Sequence, residues 1–402
     1  MKYKLYIYLL LPIFICSCGD EPLRQMPVSN HSPGQVKDVK VTNIPGGAYF
    51  TYTLPEDNDL LYIKAVYQLK NGGEVFNTKA SIYSDTLWVH GYGDTDEKSV
   101  SLISVNRSNN ESEPVSVTIN PETPPVYTIF ESLSLVEDFG GIRYKFENES
   151  AANICINILK QDENGDFVPI DQLYTKRKSG NVKMTGMASK EEVFGIYVTD
   201  RWENKSDTLI ETLTPLYEVQ VPYRDIKPYN MIGDTPSSHG WVVEQLWNGV
   251  TTDISNAGYH TSVDNGPWPH RVTFKVMSGA LKCSRLKLFH RDGDYLYRHG
   301  NIKKFELWGS NDPNPDGSDD GWTKLGDYES YKPSGLPGSE KTNEDIEYAS
   351  QGENFDIPIE YEPYQYFRVK FTETWSGSKF VHLLEIEMYG DPQWDFVEPE
   401  KE

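Results

Sequence analysis

Residues 46–121 return, at one constant offset, as residues 140–215. Gly46-Gly47-Ala48-Tyr49-Phe50-Thr51-Tyr52 aligns with Gly140-Gly141-Ile142-Arg143-Tyr144-Lys145-Phe146. Asn106-Arg107, Asn110, Ser112 and Glu113 align with Asp200-Arg201, Asn204, Ser206 and Asp207, and Pro121 falls on Pro215. Three separated matches in a single register mean one structural unit used twice, so Val36 to about Val221 divides into two units of the same fold. In each unit a Gly-Gly turn leads into alternating apolar residues, the period of a strand with one buried face. Lys70-Asn71-Gly72-Gly73 in the first unit and Glu163-Asn164-Gly165-Asp166 in the second supply the positive φ angles of tight hairpins. Several short strands closed by such turns predict a β-sandwich for each unit.

The rest of the chain carries no sustained helical period, and 26 Tyr, 25 Pro and 31 Gly in 402 residues favour several β domains over a helical protein. Both repeats resemble fibronectin type III or related immunoglobulin-like modules, at residues 35–122 and 123–222. Pro121 with Pro124-Pro125, and Pro215 with Pro222, mark stiff junctions. The pair reads as a spacer.

What the spacer stands on is written at the N-terminus. Lys2 and Lys4 precede a nearly continuous apolar run from Leu5 to Ile15, which is too short to span a bilayer and reads as an export signal over residues 1–17. Ile15-Cys16-Ser17-Cys18 resembles a bacterial lipobox, with Cys18 the expected site of lipidation because a small residue precedes it. Gly19-Asp20-Glu21 resembles the surface-export signal of Bacteroidetes lipoproteins. That resemblance implies a lipid anchor in the outer membrane, facing the cell exterior, with residues 18–34 as a flexible tether. The formal charge is −22, and loss of Lys2 and Lys4 makes it more negative still. Such a surface repels phosphate backbones, which argues against nucleic acid as a partner. Cys155 and Cys283 fall in different expected domains and are read as buried free thiols.

The third region runs from residue 223 to 391, before an acidic tail at 392–402. It contains Leu246-Trp247-Asn248-Gly249-Val250-Thr251-Thr252, then Gly258-Tyr259-His260-Thr261, then Lys304-Phe305-Glu306-Leu307-Trp308-Gly309-Ser310. Phe367-Arg368-Val369-Lys370-Phe371 and Leu384-Glu385-Ile386-Glu387-Met388-Tyr389-Gly390 close it. In this order the motifs resemble the discoidin (coagulation factor type C) fold, which includes the family 32 carbohydrate-binding modules. The resemblance implies a jelly-roll β-barrel that binds ligand in loops at one end, in bacteria most often a sugar. The expected fold class is therefore all-β: two immunoglobulin or fibronectin-III-like sandwiches followed by a discoidin-like barrel. This arrangement also resembles surface lipoproteins of Bacteroidetes polysaccharide-utilisation loci. It implies a polysaccharide or oligosaccharide as ligand and a TonB-dependent glycan-uptake complex as a partner.

A sugar needs a flat apolar face against its C–H side and oriented donors and acceptors for its hydroxyls. By motif position His260, Arg291 and Trp375 resemble the His, Arg and late-loop aromatic that the family places around its ligand. The Arg291 loop also offers Tyr297, Arg298 and His299, and Trp268 stands in a neighbouring turn. Trp247 and Trp308, inside strand-like patterns, are expected in the core. Many family members hold one structural calcium, which implies Asn248, Thr251 and Glu385 as its ligands here. Calcium takes six to eight oxygens, and the Asn248-Gly249-Val250 turn lacks the carboxylates the family supplies there. Asp312-Pro313-Asn314-Pro315-Asp316-Gly317 mimics the start of an EF-hand loop, yet Thr323 stands where a bidentate Glu is required.

No metalloprotease, hydrolase or phosphate-loop motif is present, and the expectation is a protein that is not an enzyme. Three readings stay open: a glycan-binding surface lipoprotein, which the loop aromatics favour; a protein-binding adhesin or assembly subunit; and, remotely, a glycosidase.

Overall fold

The computed structural model describes residues 30–70, 72–253 and 257–394. The expected signal, Cys18, most of the tether, Asn71 and the end of the acidic tail lie outside the described residues. The chain is all-β, with two short α-helices among the described residues.

The first unit has strands β1 (Lys37–Ile44), β2 (Gly47–Thr53), β3 (Leu60–Gln68), β4 (Val75–Ser81), β5 (Thr86–His90), β6 (Lys98–Asn106) and β7 (Val115–Ile119). They form a three-stranded sheet, β1-β2-β5, packed on a four-stranded one, β4-β3-β6-β7. The alternation read from the sequence is the packing: Ala48 and Phe50 of β2, Ile63 and Ala65 of β3, and Leu87 and Val89 of β5 are buried in one core. Each large apolar side chain so buried contributes roughly 1.5–3 kcal/mol.

Helix α1 (Pro125–Glu131) leads into the second unit, with strands β8 (Ser134–Asp138), β9 (Gly141–Glu147), β10 (Ile154–Gln161), β11 (Phe167–Thr175), β12 (Ser179–Thr185), β13 (Glu192–Asp200) and β14 (Leu209–Leu213). Its sheets, β12-β9-β8 and β11-β10-β13-β14, repeat the first topology strand for strand. The repeated residues have repeated jobs. Gly46 and Gly140 both take a left-handed turn, at φ 63° and 67°, where a Cβ is disfavoured. Asn106 Oδ1 accepts the N–H groups of Ser108 and Asn110, as Asp200 Oδ1 accepts those of Trp202 and Asn204. Ser112 and Ser206 each accept a backbone N–H from the preceding strand. Cys155 and Cys283 are buried and free.

The third unit has β15 (Val219–Gln220), β16 (Ile226–Pro228), β17 (Tyr259–His260), β18 (His270–Val276), β19 (Lys282–Phe289), β20 (Ile302–Ser310), β21 (Thr323–Glu329), β22 (Glu353–Asp356), β23 (Tyr366–Thr374), β24 (His382–Leu383) and β25 (Glu385–Asp391). Helix α2 (Asn343–Ser350) precedes β22. A five-stranded sheet, β16-β18-β23-β20-β21, faces a four-stranded one, β15-β25-β19-β22, and β17 pairs with β24 at one end. The core between the sheets includes Phe274, Leu286, Leu307, Phe367, Val369, Ile386 and Met388, and Trp247 joins it. Trp308 does not. It lies half-buried on the outer face with Lys370 Nζ 4.4 Å from its ring centroid, because alternation puts Leu307 rather than Trp308 inward. The Asp312–Asp320 loop spends Asp319 on Arg368 (2.9 Å) and Lys370 (2.5 Å), an ion cluster closing the loop onto the sheet.

Charged groups join the second unit to the third. Arg143 binds Asp138 (2.5 Å) and Asp356 (2.9 Å), Arg285 binds Glu218 (3.0 Å), and Lys183 lies 3.6 Å from both Glu218 and Asp356.

Candidate functional site

The β17–β24 pair sets the site. Its register puts His260 opposite His382, with ring centroids 5.5 Å apart, and the neighbouring loops close around them. His260 Nδ1 lies 2.7 Å from the carbonyl oxygen of Thr261. A carbonyl only accepts, so Nδ1 carries the proton and Nε2 is left as an acceptor. Burial, with the nearby charges of His239 and Arg291, lowers the His260 pKa against the opposing pull of the Thr261 carbonyl, so the ring is neutral at pH 7. Phe380 stacks on it with planes only 6° apart and centroids 5.6 Å apart.

Arg291 forms the second wall. Its Nε donates to Asp253 at 2.7 Å, and its guanidinium lies 3.5 Å from the centroid of Tyr295 and 4.7 Å from that of Trp241. With Nε spent and the plane held by two rings, the terminal amino groups remain as oriented donors. The buried side chain of Asn301 ties this loop down. It donates to the carbonyls of Arg291 (2.8 Å) and Tyr295 (2.7 Å) and accepts the N–H of Arg291 (3.0 Å). Tyr297 and His299 take left-handed φ angles of 56° and 49°, local strain that side chains such as Asn301 hold in place.

His382 lies at the base of the cavity. Its Nε2 accepts the N–H of Gly300 at 3.2 Å, so Nδ1 bears a proton, and that buried group has no partner among the described residues. Burial, helped by the charges of His260, Arg291 and other neighbours, pushes its pKa down to about 2. The cavity measures about 380 Å³ and is lined by His260, Arg291, Tyr295, His299, Phe380 and His382, among others. Flat rings, a neutral imidazole and a held guanidinium together suit a hydroxylated ring ligand.

The residues expected from sequence divide. His260, Arg291 and His299 meet in this cavity. Tyr297 does not: it is 2% exposed and its hydroxyl points to the carbonyls of Asp345 and Tyr331, so it supports the loop from beneath. Trp375 packs edge-on against Tyr297 at 5.1 Å and lines a separate hollow with Ser330, Tyr331 and Lys332. The late-loop aromatic beside His260 is Phe380 instead, which the sequence reading missed. Trp268 packs against the barrel core and donates its indole N–H to Thr372 O at 3.2 Å. Arg298 is exposed and outside the cavity lining. The Tyr-Leu-Tyr alternation offered one signal for Tyr295; nothing near Phe380 or Asn301 offered any.

The calcium expectation meets a turn of the wrong polarity. Glu385 Oε2 accepts the N–H groups of Asn248 (3.2 Å) and Gly249 (2.9 Å), and Asn248 Oδ1 accepts that of Val250 (2.8 Å). Donors, not oxygens, point at the carboxylate. Burial outweighs those hydrogen bonds and raises the Glu385 pKa to about 8, which keeps it protonated near neutrality. Its buried Oε1 has no partner, the place for that proton. Among the described residues no group of three or more His, Cys, Asp or Glu could hold a metal ion. With Asn248 and Glu385 both spent on backbone N–H groups, the expected set of Asn248, Thr251 and Glu385 does not fit calcium.

Three family models, each described as a domain of unknown function, match residues 33–121 (DUF4959), 122–224 (DUF5126) and 247–390 (DUF5000). No curated protein sequence matches the chain. Among solved structures, the C-terminal domain of a chitobiase from Bacteroides fragilis is 14% identical over 43% of this chain and 98% of its own, with a TM-score of 0.31. A carbohydrate-binding module (CBM32-2) of a GH31 protein, solved with GalNAc, is 13% identical over 41% of this chain and 97% of its own, TM-score 0.28. A SusE-like protein is 32% identical over 66% of this chain and 99% of its own length, TM-score 0.41. On that identity across nearly the whole of the relative, the chain belongs to the SusE-like proteins.

Proposed function

We propose that this chain is a glycan-binding protein of the cell surface, not an enzyme, and that it captures a polysaccharide or oligosaccharide at the loop end of its third domain. The observation that carries the reading is the convergence of His260, Arg291, Tyr295, His299 and Phe380 on one cavity. A pyranose ring lies against Tyr295 or Phe380, its hydroxyls meet His260 Nε2 and the Arg291 amino groups, and His382 Nδ1 offers a donor at the base. The two sandwiches space this site from the outer membrane, where acyl chains on Cys18 anchor the protein beside a glycan-uptake complex. The lipobox-like Ile15-Cys16-Ser17-Cys18 supports the anchor. Among the described residues no helix is long and apolar enough to cross a membrane.

The test is affinity electrophoresis of the soluble chain from Gly19 through gels carrying plant, host or microbial polysaccharides. One class should retard the chain, and Arg291→Ala or His260→Ala should abolish the retardation while leaving the melting temperature within a few degrees. Retardation unchanged in both variants would remove the site from this cavity. Absence of retardation across the panel would favour recognition of a protein.

A further inference from the structure

A second concave site lies outside the barrel, where the first and second units meet. One wall comes from β5, whose alternation buries Leu87 and Val89 and turns Trp88 and His90 outward. Tyr49 of β2 lies beside Trp88 at 4.6 Å between ring centroids, and Trp88 and His90 are 5.8 Å apart with planes 12° apart. Trp202, from the turn between β13 and β14, continues the row 6.2 Å from His90 and 30° from its plane. The Arg201 guanidinium covers the Trp202 ring at 4.3 Å. The cavity between these walls is about 520 Å³, with Asn153, Lys176 and Asp200 among its lining.

The cleft is held open by both units. Gly91, at φ 105°, lies so close under Trp202 that a Cβ there would come within 2.7 Å of the indole. Asn204 Nδ2 donates across the joint to Gly91 O at 3.1 Å, and Asp200 Oδ1 accepts the N–H groups of Trp202 and Asn204. The repeat shows that this aromatic is not a requirement of the turn. The first unit makes the same turn on Asn106 with Ser108 in the place of Trp202. Arg201 makes no ion pair among the described residues, in a chain with 60 acidic residues, and its guanidinium rests on the Trp202 ring instead. Trp88 remains 45% exposed.

We propose that this cleft is a second carbohydrate-binding site, which takes a neutral pyranose-containing oligosaccharide. Trp88 stacks against a sugar C–H face, Trp202 under its Arg201 cover closes the opposite wall, and His90, Arg201 and Asn153 meet the hydroxyls. The volume is that of a small-ligand cleft, within the range of about 300–1,000 Å³ typical of such sites. A protein partner would need roughly 800 Å² of this surface, while the exposed rings form one narrow row. A net charge of −22 disfavours an anionic ligand. With a site in the barrel as well, one chain would hold two segments of a polymer, and the second contact would benefit from a raised effective concentration.

The test uses the chain from Gly19 in gels of soluble amylopectin, xyloglucan, galactomannan and mixed-linkage β-glucan. Trp88→Ala, Arg201→Ala, Arg291→Ala and the Trp88→Ala/Arg291→Ala double variant are compared with the parent, with circular dichroism and melting to confirm folding. In a gel that retards the parent, Trp88→Ala and Arg201→Ala should each weaken binding roughly tenfold, and the double variant should lose it. If Arg291→Ala behaves as the parent while Trp88→Ala does not, the barrel reading fails and this one stands. Parental retardation of both Trp88→Ala and Arg201→Ala overturns the cleft. Failure of all four polymers to retard the parent overturns it too, as would a protein ligand lost in Trp88→Ala.

Discussion

Between the second and third units Arg143, Lys183 and Arg285 meet Asp138, Glu218 and Asp356, whereas between the first and second Trp202 lies on Gly91 beside His90 and Arg201 makes no ion pair among the described residues. Each joint brings cations to a seam, and only one matches them with anions. In the ionic joint the side chains of Glu218 and Lys183 are 5% and 7% exposed, so the charges face each other and leave little for a ligand. In the aromatic joint the exposed Trp88 ring and the Arg201 guanidinium face a cleft. A seam that only needs to hold its domains satisfies its polar groups internally; unmet donors and bare rings mark a seam with a further use.

The ionic joint should break hardest. Arg285→Ala leaves Glu218 buried with only Lys183 and Ser284 near it, and the expected loss is about 3 kcal/mol in urea unfolding. A loss below about 1 kcal/mol would mean the charges at this seam are solvated rather than matched. Gly91→Ala tests the aromatic joint: a left-handed φ and a clash with Trp202 should cost about 1–3 kcal/mol. The same variant should shift tryptophan emission as Trp202 is displaced, a signal the Arg285 variant should lack.

Acidification should separate the ionic joint from the aromatic joint and the barrel site. His382 is neutral in the folded chain because burial holds its pKa far below the ordinary value, and it takes up a proton only on unfolding. Stability is therefore whole above about pH 6.5 and falls by about 1.4 kcal/mol per pH unit below it, as one proton is linked to unfolding. His90 and His260, also lowered by burial, add loss of the same sign, and the ionic joint contains no histidine. Melting between pH 7 and 5 should flatten in His382→Asn; an unchanged slope would assign the loss elsewhere. The smallest effect is expected for Arg201→Ala, within about 0.5 kcal/mol in stability, since its side chain is exposed and makes no ion pair among the described residues.

The repeat was legible because its residues act locally. Gly46 and Gly140 are needed for left-handed φ, and Asn106 and Asp200 for N–H groups two and four residues on, so each match reports geometry settled within one turn. The binding loops obey no such rule. Tyr295 and Tyr297 differ by two positions, and only the strained course of the backbone sends the first to the cavity and the second inward. Trp375 and Phe380 share one loop, and the resemblance pointed to the former while the fold brought the latter to His260. Glu385 was correctly paired with the Asn248 turn, but the direction of the N–H groups there decides against calcium.

By itself the sequence determined the all-β class and the duplicated sandwich, since periodicity and turn residues depend on neighbours along the chain, while the third domain and its His260 and Arg291 were reached through a resemblance in motif order. Tertiary structure alone decided which rings line a cavity, that Asn301 fastens the Arg291 loop, and that Arg143 reaches Asp356 across 213 positions. Those outcomes depend on where two strands or two domains stop against each other. That is settled by packing and by the satisfaction of buried polar groups, neither of which is local in sequence.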